Sequence, residues 1–146
     1  MISDERLLGE ICYQLERRIL TLIFSPSRQF YGYSLRYLPL IIEHESNAQQ
    51  RSTYKKRFEQ IENSLRRVHF QFDYHSNLTF SLINEYGIYF DYQWLNDHAH
   101  LLGTRSQIHA LCQSMFSAKN YNEDLQIILH SLEFISHFDG KPVFYW

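Results

Sequence analysis

The chain has 146 residues, one domain by length, and its 45% hydrophobic and 16% aromatic content is too high for a disordered tail. A formal net charge of −2 excludes a strongly basic chain built chiefly to hold nucleic acid, while leaving room for a local basic patch. No stretch approaches the ~20 apolar residues of a membrane span. Asp4, Glu5, Glu10 and Glu16 interrupt the amino end as no signal peptide would, so a soluble, intracellular, cytoplasmic protein is expected.

Leu7, Leu8, Ile11, Cys12, Leu15, Ile19 and Leu22 recur at steps of three and four, which predicts an amphipathic first helix with Glu10, Gln14, Arg17 and Arg18 between its apolar positions. Ser3 or Asp4 can cap its start, and Ser25-Pro26-Ser27 ends it. In QFYGYSLRYLPLIIEHE, Gly32 and Pro39 punctuate an aromatic turn followed by a short helix from about Leu38 to Glu45. SNAQQRST is a polar loop or the start of the next helix, in which Tyr54, Phe58, Ile61, Leu65 and Val68 repeat at steps of four, three, four and three.

HFQFDY and IYFDYQW alternate apolar and polar residues and are candidates for short strands. The NLTFSLINEYG between them reads as a helix, with Leu78, Leu82 and either Ile83 or Tyr86 inward and Gly87 as its stop. Thr104 and Gln107 have the spacing of a capping box before Ile108, Leu111, Cys112, Met115 and Phe116. Asn122-Glu123-Asp124 opens a last helix with Leu125, Ile128, Leu129, Leu132 and Ile135 inward, stopped by Gly140. The expected fold is all-α, a single compact bundle of five or six helices over residues 1–146, with Cys12 and Cys112 as reduced core thiols.

The five glycines are too dispersed for a phosphate loop, dinucleotide fingerprint or nucleophile elbow. Asp97, His98 and His100 form the best metal-like cluster, because alternate residues of an extended segment project to one side, so a metal-binding protein or enzyme using them is one alternative. The signal is weak, and a polar loop before Leu101-Leu102-Gly103 accounts for them without any metal. Glu43-His44-Glu45 suits a solvated helix end better than an acid–base site, which needs a cleft.

Arg51, Lys55, Lys56, Arg57, Arg66 and Arg67 lie on one helix against only Glu59 and Glu62. Arg51, Lys55, Lys56, Arg66 and Arg67 are therefore the candidate contact surface, with Arg17 and Arg18 as additions. Such a face is either solvated or a dock for an acidic protein partner, a tubulin surface or, as a second alternative, nucleic acid along residues 51–67. Tyr31-Gly32-Tyr33 and the stretch from Tyr86 to Trp94 hold residue types that serve both cores and binding hot spots.

The pieces ERLLGEICYQLERRILTLIF, RQFYGYSLRYLPLII, FSLINEYGI and LEFISHFDGKPVFYW occur in the order and approximate spacing of the speriolin carboxyl-terminal domain, which nearly the whole chain resembles. QLERRIL, the YGY turn with Pro39 after it, LINEYGI and the terminal DGKPVFYW are the most specific. The resemblance implies a non-catalytic protein of the centrosome or of the sperm neck and flagellum, without cofactor or catalytic residues, acting through protein–protein contact. It implies as partners an anaphase-promoting-complex regulator, protein kinase A subunits or cytoskeletal proteins. It also implies that the aromatic tail belongs to the domain, and the simplest physical account is then a tail that folds back after Gly140 and seats Phe144 and Trp146 in a groove between helices.

Overall fold

The computed structural model describes residues 4–25, 34–86 and 122–141, the side chains of 4–7 and 122 excepted. Among these residues there are five α-helices, a 3-10 turn and no strand: α1 (Asp4–Phe24), the 3-10 turn (Leu35–Tyr37), α2 (Leu38–Glu43), α3 (Ala48–Arg66), α4 (Phe72–Tyr86) and α5 (Asn122–Asp139). The all-α expectation holds for them. The predicted helix after Thr104, Cys112, the IYFDYQW segment, the Tyr31-Gly32-Tyr33 turn, the caps at Ser3 and Asp4, and the aromatic tail lie outside what is described.

α1 is the hub, packed against α4, α5, α3 and the 3-10 turn. Its predicted stripe is buried, from Leu8 through Ile11, Cys12 and Leu15 to Ile19. Leu20, Ile23 and Phe24 are buried as well, so the apolar surface extends beyond that stripe. The residues expected to face water do not: Glu10, Gln14 and Arg18 are all 3% exposed or less. A helix covered on several sides leaves little outer face for polar side chains, and those it covers must be satisfied inside by one another or by neighbouring helices.

α2 follows directly on the 3-10 turn, with Pro39 in its first turn, where no intrahelical donor is needed. It ends at Glu43 rather than Glu45, because the His44 and Glu45 amides close back onto Leu40 and Ile42. Within the polar stretch, Asn47 caps α3, its Oδ1 accepting from the Gln50 N–H at 3.0 Å. Tyr54, Ile61 and Leu65 of α3 are buried, with Phe58 and Val68 packed partly beside them, as their spacing predicts.

The HFQFDY segment is not a strand. His69 takes a left-handed conformation (φ 69°), the His69 amide donates to the Arg66 carbonyl, and the Phe70 amide donates to the Leu65 carbonyl. This is a Schellman ending in which Phe70 and Leu65 meet in the core, and α4 begins two residues later. Along α5, Leu125, Ile128, Leu129, Leu132 and Ile135 all point inward, and Gly140 leaves the helix at φ 72°, a region that needs no Cβ.

Candidate interaction surface

Three polar joints tie neighbouring segments to α1. At the first, Glu16 Oε1 accepts from the Leu35 N–H at 2.8 Å and the Ser34 hydroxyl at 3.0 Å, so a carboxylate on one helix caps the 3-10 turn. Its Oε2 is buried with no partner among the described residues, for the nearby Thr79 hydroxyl donates to the Ser76 carbonyl at 3.1 Å. Burial pushes the Glu16 carboxyl above the usual 4.5, outweighing the bonds from Leu35 and Ser34 that pull it down. Burial, and secondarily the Glu16 charge, also pushes the Cys12 thiol far up, which makes it an inert core thiol as expected.

At the second joint, Arg18 grips Asp139 at the end of α5 through both arms, Nε to Oδ2 at 2.9 Å and Nη2 to Oδ1 at 2.7 Å. Nη2 also donates to the Lys141 carbonyl at 3.3 Å. Arg18 was expected to extend a surface cationic face; it is instead a buried interhelix pair, because α5 covers that side of α1. At the third joint, Arg57 of α3 donates to the Ile23 and Ser25 carbonyls at 2.8 and 2.9 Å, closing the carboxyl end of α1.

A fourth joint links α4 and α5. The His75 ring accepts at Nδ1 from the Gln71 N–H at 2.8 Å, which leaves the proton on Nε2, facing Asp124 Oδ1 at 3.1 Å. Tyr74 donates to the other Asp124 oxygen at 3.1 Å. A general base needs an unengaged ring nitrogen, and here both are committed, so this pair holds helices together. Sequence reasoning placed Asp124 only at a helix start; its partners lie 49 and 50 residues earlier, a separation no local pattern reveals.

The predicted cationic residues divide into two groups. Arg51 is half-buried, donating to the Glu45 carbonyl at 2.8 Å, and Arg66 pairs with Glu62 at 3.2 Å. Lys55, Lys56 and Arg67 are exposed, and their side chains make no ion pair or hydrogen bond among the described residues. At 3.6 residues per turn, Glu59 and Glu62 fall within the stripe that Arg51, Lys55 and Arg66 form, so the face alternates in sign.

A second exposed patch was not anticipated. Arg36 lies 4.8 Å over the Phe80 ring and 5.6 Å from Tyr37, the two rings meet edge to face, and Leu40, three residues after Tyr37, is 53% exposed. Glu43 and His44 are exposed, as a solvated helix end requires. Among the described residues no group of three His, Cys, Asp or Glu could hold a metal, and no helix is long and apolar enough to cross a membrane. Asp97, His98 and His100, like Phe144 and Trp146, lie outside the described residues.

These features define a helical domain built on a buried, ion-paired hub helix, presenting cationic and aromatic side chains at its surface. The motif pieces of the sequence meet in it: Arg18 of QLERRIL holds Asp139 of DGKPVFYW, and Glu16 holds Leu35 of YGYSLRYLP. The Speriolin C-terminus family matches residues 7–146, and the chain belongs to that family. It is 31% identical to Speriolin of Mus musculus over 157 residues, covering 97% of this chain and 31% of that protein. It is 27% identical to Speriolin of Homo sapiens over 164 residues, covering 99% of this chain and 26% of that protein. The chain therefore spans roughly a third or less of the length of these curated relatives. No solved structure matches it.

Proposed function

We propose that this is a non-catalytic interaction or scaffold domain of the cytoplasm, working at the centrosome or the sperm neck and flagellum. The observation that carries this reading is membership of the speriolin family across residues 7–146. Its partners are proteins, with an anaphase-promoting-complex regulator, protein kinase A subunits and cytoskeletal proteins first among them. The contact surface is the outward side of α3, where Lys55, Lys56 and Arg67 are exposed and take no part in the joints of the fold. Glu59 and Glu62 within the neighbouring stripe favour discrete carboxylates on a protein over a continuous track of phosphates.

The test is affinity capture from a sperm-producing or ciliated cell lysate, comparing the intact chain with a Lys55→Glu, Lys56→Glu, Arg67→Glu variant and identifying bound proteins by mass spectrometry. Centrosomal or flagellar proteins bound by the intact chain and lost from the variant support both the function and the surface. Equal capture by both forms removes the surface; enrichment by neither removes the function.

The tail completes the domain in this proposal, with Phe144 and Trp146 folding back onto the core. Support comes from its root, which Arg18 holds against α1 through Asp139 and Lys141. Burying one such ring stabilises by about 1.5–3 kcal/mol. Deleting residues 143–146 should therefore lower the unfolding free energy in urea, and a loss under about 1 kcal/mol would end the idea.

A further inference from the structure

Asp139-Gly140 is a chemically reactive sequence held in an unreactive arrangement. In an aspartyl-glycyl pair the glycine amide nitrogen can attack the aspartyl Cγ. A new C–N bond forms, the carboxyl C–O bond breaks, and water leaves to give a succinimide. Hydrolysis restores that water and opens the ring at either carbonyl, yielding aspartate or isoaspartate. No oxidant, metal or second reactant is required.

Steric cover does not protect this pair, since a Cβ placed on Gly140 would meet nothing within 4 Å. The protection lies in the carboxylate. Arg18 Nε engages Oδ2 at 2.9 Å and Nη2 engages Oδ1 at 2.7 Å, while the Lys141 amide donates to Oδ1 at 3.0 Å. Neither oxygen can depart as water without first breaking a bond to the guanidinium, which is itself 3% exposed. Asp139 is also the last residue of α5, so its backbone is held helical.

We propose that Asp139 is a latent isomerisation site guarded by Arg18, reactive only when the joint between α1 and α5 opens. Isoaspartate routes the main chain through the former side-chain carbon, adding one methylene between the two residues and shortening the branch that carries the carboxylate. The two-armed grip on Arg18 cannot re-form on that geometry, so conversion opens the joint that Arg18 makes with Asp139. The product is a substrate for methyl transfer from S-adenosylmethionine to the isoaspartyl carboxylate; the methyl ester closes to succinimide with loss of methanol, which speeds the return to aspartate.

The experiment incubates the native chain and a synthetic peptide of residues 137–143 side by side at body temperature and neutral pH. Isoaspartate is read by methylation with an isoaspartyl methyltransferase and labelled S-adenosylmethionine, then located by fragmentation mass spectrometry. The native chain should react on the order of tenfold or more slower than the peptide, because reaction proceeds only from the opened population. The urea-unfolded chain should match the peptide. Arg18→Lys, which keeps the charge but not the two-armed grip, should react faster than native while its helical circular dichroism is unchanged. Arg18→Gln serves as a second variant should the first not fold. A native chain as reactive as the peptide, or a folded Arg18 variant as protected as native, overturns the proposal.

Discussion

α1 and α3 carry similar residues and use them in opposite ways. Each mixes apolar side chains at helical spacing with carboxylates and arginines, yet in α1 Glu10, Glu16 and Arg18 are buried, while Lys55 and Lys56 of α3 and Arg67 at its C-cap remain in water. The difference lies in what surrounds each helix: α1 has neighbours on several sides, whereas α3 contacts α1 and α2 and keeps an outer face. A charge on the hub is a structural part, because its desolvation must be matched by a partner. A charge on the outer side of α3 costs nothing to keep and is available to other molecules.

The sharpest test of that contrast is Arg18→Ala, which leaves Asp139 without its guanidinium in a nearly closed setting. Removing one member of a buried pair should cost about 3–5 kcal/mol in urea unfolding. A loss under about 1 kcal/mol would put Arg18 in the same class as the α3 cations.

Glu16→Gln probes the hub through pH. The folded carboxyl titrates above its unfolded value, so its contribution to stability is fully present below about pH 4.5 and fades as pH rises through the folded value. Glutamine keeps the acceptor for Leu35 and Ser34 and cannot charge. The variant should gain on wild type in melting temperature between pH 4.5 and neutrality, and parallel melting curves across that range would contradict the buried-charge account.

Tyr54 is a place where α3 behaves like the hub: its hydroxyl is buried with no partner among the described residues, although its ring meets Phe24 edge to face at 4.9 Å. Tyr54→Phe should therefore stabilise by about 1 kcal/mol, a rise of roughly 3 °C in melting temperature. Destabilisation would reveal a bond to that hydroxyl. The smallest effect belongs to Lys55→Glu, Lys56→Glu and Arg67→Glu, each expected to move stability by no more than about 0.5 kcal/mol on thermal denaturation. A larger loss would make these residues structural.

The helices of this domain were legible where one face meets the core and the other meets water. α3 and α5 follow their periodicity closely, since Tyr54, Ile61, Leu65, Leu125 and Ile135 are buried and Phe58 and Val68 partly so. The hub was misread in its polar residues, although a sign was present: Leu20 and Phe24 stand off the main stripe at an i, i+4 spacing, marking a second covered side. HFQFDY resembled a strand because a left-handed His69 resets the register between two helices, and His is a less legible terminator than Gly. The candidate surface was half legible. Composition found the cations of α3, but only tertiary contacts separate Arg57, which closes α1, from Lys56, which does not.

The partners in the Arg18–Asp139 pair are 121 residues apart in sequence. During synthesis α1 leaves the ribosome long before α5 exists, and for that interval its arginine and its apolar flank lack their cover. The closing contact is thus among the last to become possible, and its loop entropy makes it slow relative to the local pairing of α2 with α3. A nascent chain cut short of residue 139 would lack the partner of Arg18 and leave that arginine and its apolar flank uncovered, the kind of exposed surface that invites misassembly.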